Sequence, residues 1–183
     1  YTLSSLINLF KRHGLNISDV EIKDFYGGSI LTYATKSIGH SSSKVLEVLD
    51  NERQIDVRNA FKEMKKVLLD NKISLLSLLV NLKASGKRVV GIGAPMKAST
   101  LLNFYGVTSD LVEYLAEVNE LKVGTYVPGV HIPVVHEDQV FENQPDYAMI
   151  LSWNMSEAII SNFRTLGYKG KFIIPVPRIE VLE

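Results

Sequence analysis

Val89-Val90-Gly91-Ile92-Gly93-Ala94-Pro95-Met96-Lys97-Ala98-Ser99-Thr100 reads as an apolar strand, a glycine turn and the start of a helix. Gly91 and Gly93 let a ligand come close to the backbone, and Pro95 suits the first position of a helix whose unpaired amides attract anions. The pattern continues downstream. Arg88 to Ile92 reads as a strand, Met96 to Phe104 as a helix, Val112 to Val118 and Tyr147 to Leu151 as strands, Glu157 to Leu166 as a helix and Lys171 to Ile174 as a strand. This alternation predicts an α/β fold: a Rossmann-like parallel sheet with flanking helices and right-handed crossovers. The tract from Gly124 to Pro145 holds Pro128, Pro133 and Pro145. It reads as irregular, with a short helix around Asp138 to Glu142, and such loops lie over a sheet's carboxyl edge, where ligands bind.

Upstream, Leu3, Leu6, Ile7, Leu9 and Phe10 recur at helical spacing and stop at His13-Gly14. Val20, Ile22 and Phe25, then Ile30, Leu31, Tyr33 and Ala34, flank Tyr26-Gly27-Gly28-Ser29 as the arms of a hairpin. Gly39-His40-Ser41-Ser42-Ser43 reads as a loop or boundary. From about Ile55, the apolar positions Ala60, Phe61, Met64, Val67, Leu68, Leu75, Leu79 and Leu82 step by threes and fours up to Ser85-Gly86. They predict a long amphipathic helix with a break near Asp70-Asn71, its stripe read as a core face and not as a coiled-coil seam. The expected division is a helix and antiparallel hairpin over 1–40 and the Rossmann-like domain, with its long helix, over 41–183.

The 183 residues suffice to bury a core, and 46% hydrophobic with 22% charged residues is ordinary globular composition. Twenty Lys+Arg balance twenty Asp+Glu, so net charge gives no support to a nucleic-acid surface. Cysteine is absent, which excludes disulfides, thiolate zinc sites and cysteine nucleophiles in this chain. Ile73 to Leu82 is too short and too interrupted to span a membrane, and Lys11-Arg12 follow the apolar residues in the wrong order for a signal peptide. A cytoplasmic location is the default reading. The chain opens on Tyr1, not Met, and is expected to be a piece of something longer.

The glycine segment carries the chemistry. The third glycine of the dinucleotide fingerprint would fall at Met96, so the fingerprint is incomplete, while Glu117 stands near the place where an acid binds ribose hydroxyls. Lys97 in a first helical turn faces the positive end of the macrodipole; a bound phosphate would relieve it, and an exposed lysine tolerating a cost of about 0.3 to 1 kcal/mol is the equal alternative. Ser99 and Asn103 follow on the same helix, where Asn103 either faces the cleft or ends the helix. Tyr126 and His131 sit in a proline-stiffened loop, which suits them to be held for a ligand, while His131 on its own makes a weak case for a catalytic base. Trp153 offers an aromatic plate and Asn154 an amide to a base or sugar, with capping of the next helix as a second role for Asn154 that need not exclude the first. The histidines His13, His40, His131 and His136 form no metal-binding pattern, and no metal is expected. Ser4, Ser29 and Ser152 lack a nucleophile elbow.

Taken together, these residues resemble the carboxyl-terminal part of the S-adenosylmethionine-dependent C-methyltransferases that act on nucleotide-linked deoxysugars. The resemblance runs along nearly the whole chain. It rests on Tyr1-Thr2-Leu3-Ser4, Arg12-His13-Gly14-Leu15, Gly27-Gly28-Ser29, Gly86-Lys87-Arg88-Val89-Val90-Gly91, Gly93-Ala94-Pro95 with Lys97, and Thr100-Leu101-Leu102-Asn103. It continues through Tyr126-Val127-Pro128-Gly129, His131-Ile132-Pro133, Pro145-Asp146-Tyr147, Trp153-Asn154 and Ile174-Pro175-Val176-Pro177-Arg178. The chain departs from the family pattern at Tyr26, often histidine, at Met96 and Ala98, often smaller, and at Glu117-Val118-Asn119, where an Asp is frequent.

The resemblance implies a three-part parent protein: a zinc-binding amino-terminal domain, a methyltransferase domain holding S-adenosylmethionine, and the present Rossmann-like domain, which closes on a nucleotide-diphosphate sugar. Residues 1–40 would then be the tail of the methyltransferase domain. The catalytic base, zinc ligands and cofactor glycines would lie upstream of Tyr1, so no catalytic residue is assigned here and the fragment alone is expected to be inactive. Its contribution would be a substrate-nucleotide clamp built from Gly91, Gly93, Ala94, Lys97, Ser99, Asn103, Tyr126, His131, Trp153 and Asn154. The competing readings are a stand-alone Rossmann module for NAD or coenzyme A and a purely structural interaction domain.

Overall fold

The computed structural model describes residues 1–24, 28–37 and 39–183. Phe25, Tyr26, Gly27 and Ile38 lie outside the described residues, and with them the tip of the expected hairpin. The chain forms two compact units, Tyr1–Lys65 and Lys66–Glu183.

In the first unit, α1 (Leu3–Arg12) begins at a reciprocal cap between Thr2 and Ser5 and ends on a basic last turn before Gly14, whose φ is +67°. β1 (Asn16–Lys23) and β2 (Ser29–Thr35) pair antiparallel. A second helix, α2 (Ser43–Gln54), is one that the sequence reading passes over. Charged positions dilute its periodicity, and Val45 is its one fully buried residue, packed with Leu3, Ile17 and Val20. A tertiary bond secures it: the Glu52 carboxylate accepts the backbone N–H groups of Leu3 and Ser4 at the start of α1. This places a negative charge on that helix's positive end.

The long helix α3 (Val57–Ala84) is confirmed, and the expected break at Asp70-Asn71 is not there. Asn71 sits in the apolar stripe because its amide donates to the Pro177 carbonyl at 2.5 Å, so its buried nitrogen has an acceptor. The core-face expectation holds for only part of the helix. Leu75, Leu79 and Leu82 are buried, whereas Phe61 is 61% and Met64 49% exposed. Periodicity marks an apolar face over the whole helix; within the second unit, Leu75, Leu79 and Leu82 carry that face into the core of the sheet.

The second unit is built on β3 (Val89–Ile92), α4 (Met96–Tyr105), β4 (Leu115–Glu117), β5 (Val134–His136), α5 (Asp138–Asn143), β6 (Tyr147–Ile150), α6 (Ser156–Thr165), β7 (Lys171–Ile174) and β8 (Glu180–Leu182). A 3-10 turn, Trp153–Met155, lies between β6 and α6. The strand order is β5-β4-β3-β6-β7-β8, parallel throughout except for the antiparallel β8. This is the doubly wound arrangement the alternation predicts. The tract read as irregular contains β5, and β8 is a further addition.

Both faces of the sheet are covered. One carries Leu115, Met149, Leu151 and Ile173 against α3 and α4; the other carries Val90, Ile92, Ala116, Ala148 and Ile150 against α5 and α6. Gly91 points to the first face, where a Cβ would collide with the Leu115 side chain and lie 3.0 Å from Leu151. Its glycine is therefore a packing requirement within the strand. The chain leaves β3 toward β4 on one side and enters β6 on the other, so the order reverses between β3 and β6, and a crevice opens at their carboxyl ends. No helix among the described residues is long and apolar enough to cross a membrane.

Candidate functional site

β3 delivers the chain to Gly93, which adopts φ +82°, a conformation that side chains disfavour. A Cβ there would also lie 2.8 Å from the Ser152 hydroxyl beyond β6. Ala94 follows and is held at both of its polar groups. Its N–H donates to Glu117 Oε2 at 3.0 Å, and its carbonyl accepts from Lys122 Nζ at 3.0 Å. Lys122 and Glu117 pair at 3.2 Å. The other oxygen of Glu117 accepts the backbone N–H groups of Val118 at 3.0 Å and Asn119 at 3.2 Å. Burial alone would raise the Glu117 carboxyl, but the N–H groups of Ala94 and Asn119 and the Lys122 ammonium outweigh it and hold its pKa below the ordinary value. Each oxygen already has two donors, which leaves none free for a ribose diol. The acid of the dinucleotide reading is thus structural.

Pro95 occupies the N-cap position of α4, one residue before the first helical position expected for it, and no side chain caps that end. The first-turn residue Met96 is 91% exposed. From the same turn Lys97 reaches across to the segment after β6. Its Nζ sits 4.2 Å over the Trp153 ring and donates to the Asn154 amide oxygen. Desolvation lowers the Lys97 pKa, and no carboxylate offsets that shift. A half-buried cation thus stands beside the positive end of a helix, with only a neutral amide and a ring for company among the described residues. Asn154 does not cap α6, whose N-cap residue is Met155 without a side-chain bond.

Farther along α4, Asn103 donates to the Pro128 and Ser99 carbonyls, each at 2.8 Å, and the Ser99 hydroxyl lies 3.4 Å from the Pro128 carbonyl. Gly129, with φ +87°, presses so close to the Asn103 amide that any Cβ would overlap it. These bonds pin the Tyr126–Pro133 loop to α4. Within the loop, Val127 N–H donates to Ile132 and His131 N–H to Val127, both at 2.9 Å. Tyr126 is 64% exposed. The His131 side chain is also exposed, its backbone at φ +54°.

A cleft of about 480 Å³ lies between this loop and the first turns of α4, lined by Ala94, Pro95, Met96, Ser99, Tyr126 and Pro128 among others. The structure therefore brings Lys97, Trp153 and Asn154 together, sets Gly93 and Ala94 at the root of the same turn, and places Ser99 and Tyr126 on the cleft wall. Asn103 supports that wall from behind; Gly93, Lys97, His131, Trp153 and Asn154 are outside the lining, and Gly91 faces the core. Lys122 and Ser152 are the site residues that sequence reasoning misses. Neither belongs to a motif: Lys122 gains its role by bonding Ala94 and Glu117, and Ser152 by lying against Gly93. No group of three or more metal-ligating side chains comes together among the described residues.

A family model described as the C-methyltransferase C-terminal domain matches residues 24–177. The C-methyltransferase NovU of Streptomyces niveus is 33% identical over 188 residues, an alignment that takes in all of this chain and 45% of that relative. The present chain thus spans less than half the length of the protein it matches. With most of the second unit inside the matched range, the chain belongs to the family of C-methyltransferase C-terminal domains.

Proposed function

We propose that this chain is the carboxyl-terminal part of an S-adenosylmethionine-dependent C-methyltransferase acting on a nucleotide-linked keto-deoxysugar, and that it supplies the clamp for the substrate's diphosphate. The observation that carries this reading is Lys97: a desolvated ammonium on the first turn of α4, opposite Trp153 and Asn154 and unmatched by any acid among the described residues. Two positive sources converge there, the side chain and the helix end, and an anion satisfies both. Family membership supports the methyl-transfer part of the reading; the sugar nucleotide rests on the anion site and on the resemblance described above.

This chain's own residues do not fit S-adenosylmethionine or zinc. Met96 replaces the third glycine, Glu117 has no free acceptor, and neither cysteine nor a ligand cluster is present to hold a metal among the described residues. The reading accordingly assigns both groups, and the catalytic base, to an upstream methyltransferase portion of the parent protein, of which residues 1–40 would be the tail. What this domain adds to the reaction is positioning and water exclusion at the carboxyl edge. The saturation of Glu117 weighs against the NAD reading.

Calorimetry with a thymidine-diphosphate sugar, NAD and S-adenosylmethionine tests the proposal. The sugar nucleotide should bind, weakly in this chain alone, and Lys97→Ala should reduce its affinity about tenfold or more, as expected for loss of a charge-assisted contact. Tight binding of NAD, or unchanged affinity in a folded Lys97→Ala variant, would refute it.

A further inference from the structure

The opposite face of the sheet carries a second cavity, of about 340 Å³, which the diphosphate clamp does not use. It opens at the carboxyl ends of β3, β4 and β6, on the α6 side of the reversal in strand order, where doubly wound sheets take up ligands. Ile92 and Val118 wall it from the sheet; Met155, Ile159 and Phe163 wall it from the 3-10 turn and α6. Phe163 is fixed by ring contacts with Phe141 and Tyr168, so this wall is preformed.

Four polar side chains reach the cavity, and they differ in one respect. Glu117 is fully engaged, as described above. Glu137, Ser152 and Asn162 also line it, and none of them makes a side-chain hydrogen bond with the described residues. Glu137 is half-buried, and burial pushes its pKa up, as expected of a carboxylate without a donor. No lysine or arginine contributes to the lining.

We propose that this cavity binds an uncharged nucleoside, its base between the apolar walls and its donor groups on the Glu137 carboxylate and the Ser152 hydroxyl. The volume suits one small ring system with its sugar. Glu117 is balanced by Lys122, but Glu137 has no lysine or arginine partner among the described residues and repels phosphate, so the charged part of a nucleotide is excluded. The apolar walls outnumber the polar groups, which disfavours a free sugar, whose hydroxyls would be stranded against Ile159 and Phe163. Acceptor chemistry comes from Glu137, not from the saturated Glu117, so the site differs from the usual ribose-acid arrangement of dinucleotide folds. The inference is independent of the Lys97 clamp.

Saturation-transfer NMR on the whole chain with adenosine and with thymidine tests it, alongside Ala158→Trp, Glu137→Gln and Lys97→Ala variants shown to be folded by circular dichroism. Ala158 lines the cavity and is exposed, so a tryptophan there blocks the mouth without entering the core. At least one nucleoside should bind at millimolar concentration, and which one binds reports whether the base is a purine or a pyrimidine. Binding should vanish in Ala158→Trp, weaken about tenfold in Glu137→Gln, and persist in Lys97→Ala. The inference is overturned if neither nucleoside binds, if binding survives in Ala158→Trp, or if it is lost only in Lys97→Ala. The clamp survives the first of these outcomes, because its test is the anion and not the nucleoside.

Discussion

The Glu117 carboxylate accepts the Ala94 amide at 3.0 Å, so the glycine turn after β3 is locked from the end of the neighbouring β4. Lys122 closes the brace at the carbonyl of the same residue. Gly93 gives the turn its shape, and the brace stops the turn from using the freedom that a glycine confers. Lys97 inherits a fixed starting point, three residues farther on.

Removing the brace should therefore matter more than its partly exposed position suggests. Glu117→Ala strands the Ala94 and Asn119 N–H groups, and denaturant unfolding should show a loss of about 1 to 3 kcal/mol. Lys122→Met, which leaves the backbone bonds to Glu117 intact, should cost less than half of that.

The same carboxylate sets a pH dependence. Its pKa in the folded chain lies below the ordinary glutamate value of 4.5, so its stabilisation is fully present above that value and is lost as pH falls through the lower folded one. Wild type should lose stability over this acid range more steeply than Glu117→Gln, as measured by urea unfolding at a series of pH values. Parallel pH profiles would show that the brace does not titrate.

Trp153 is the single tryptophan of the chain and lies under the Lys97 ammonium, so its fluorescence reports on the cation. Inorganic diphosphate should draw Lys97 off the ring and change the emission in a saturable way. In Lys97→Met the response should disappear while stability moves by no more than about 1 kcal/mol, the scale of a cation–π contact at a partly exposed position.

Gly91 and Gly93 should fail for different reasons. Gly91→Ala overpacks the core against Leu115 and Leu151, costing about 1 to 3 kcal/mol, and Leu115→Val in the same chain should recover part of the loss. Gly93→Ala meets the Ser152 hydroxyl and also requires a positive φ, so Ser152→Gly should rescue it only partially.

Asn103→Ala releases the Pro128 carbonyl and opens space beside Gly129. Hydrogen exchange at the Val127 and His131 amides should accelerate, with a global loss of about 0.5 to 1.5 kcal/mol. Unchanged exchange at these two amides would show that the loop holds itself.

Local pattern by itself determined the succession of strand, glycine turn and helix, the parallel α/β sheet and the long amphipathic helix, because periodicity and turn chemistry act between near neighbours in the chain. Lys97 was legible as a cation in the wrong turn of a helix, and Trp153-Asn154 as a pair at a strand end. Only the tertiary structure decided that Asn154 reaches back 57 residues to Lys97 instead of capping α6, and that Glu117 serves Ala94 instead of a ligand. It also left the first half of α3 exposed and bridged Asn71 to Pro177, where the apolar stripe alone predicted burial and a break. The physical reason is the same in each case. A sequence displays which side chains need a partner, but which partner they find depends on strand order and packing, and these bring together segments that are remote along the chain.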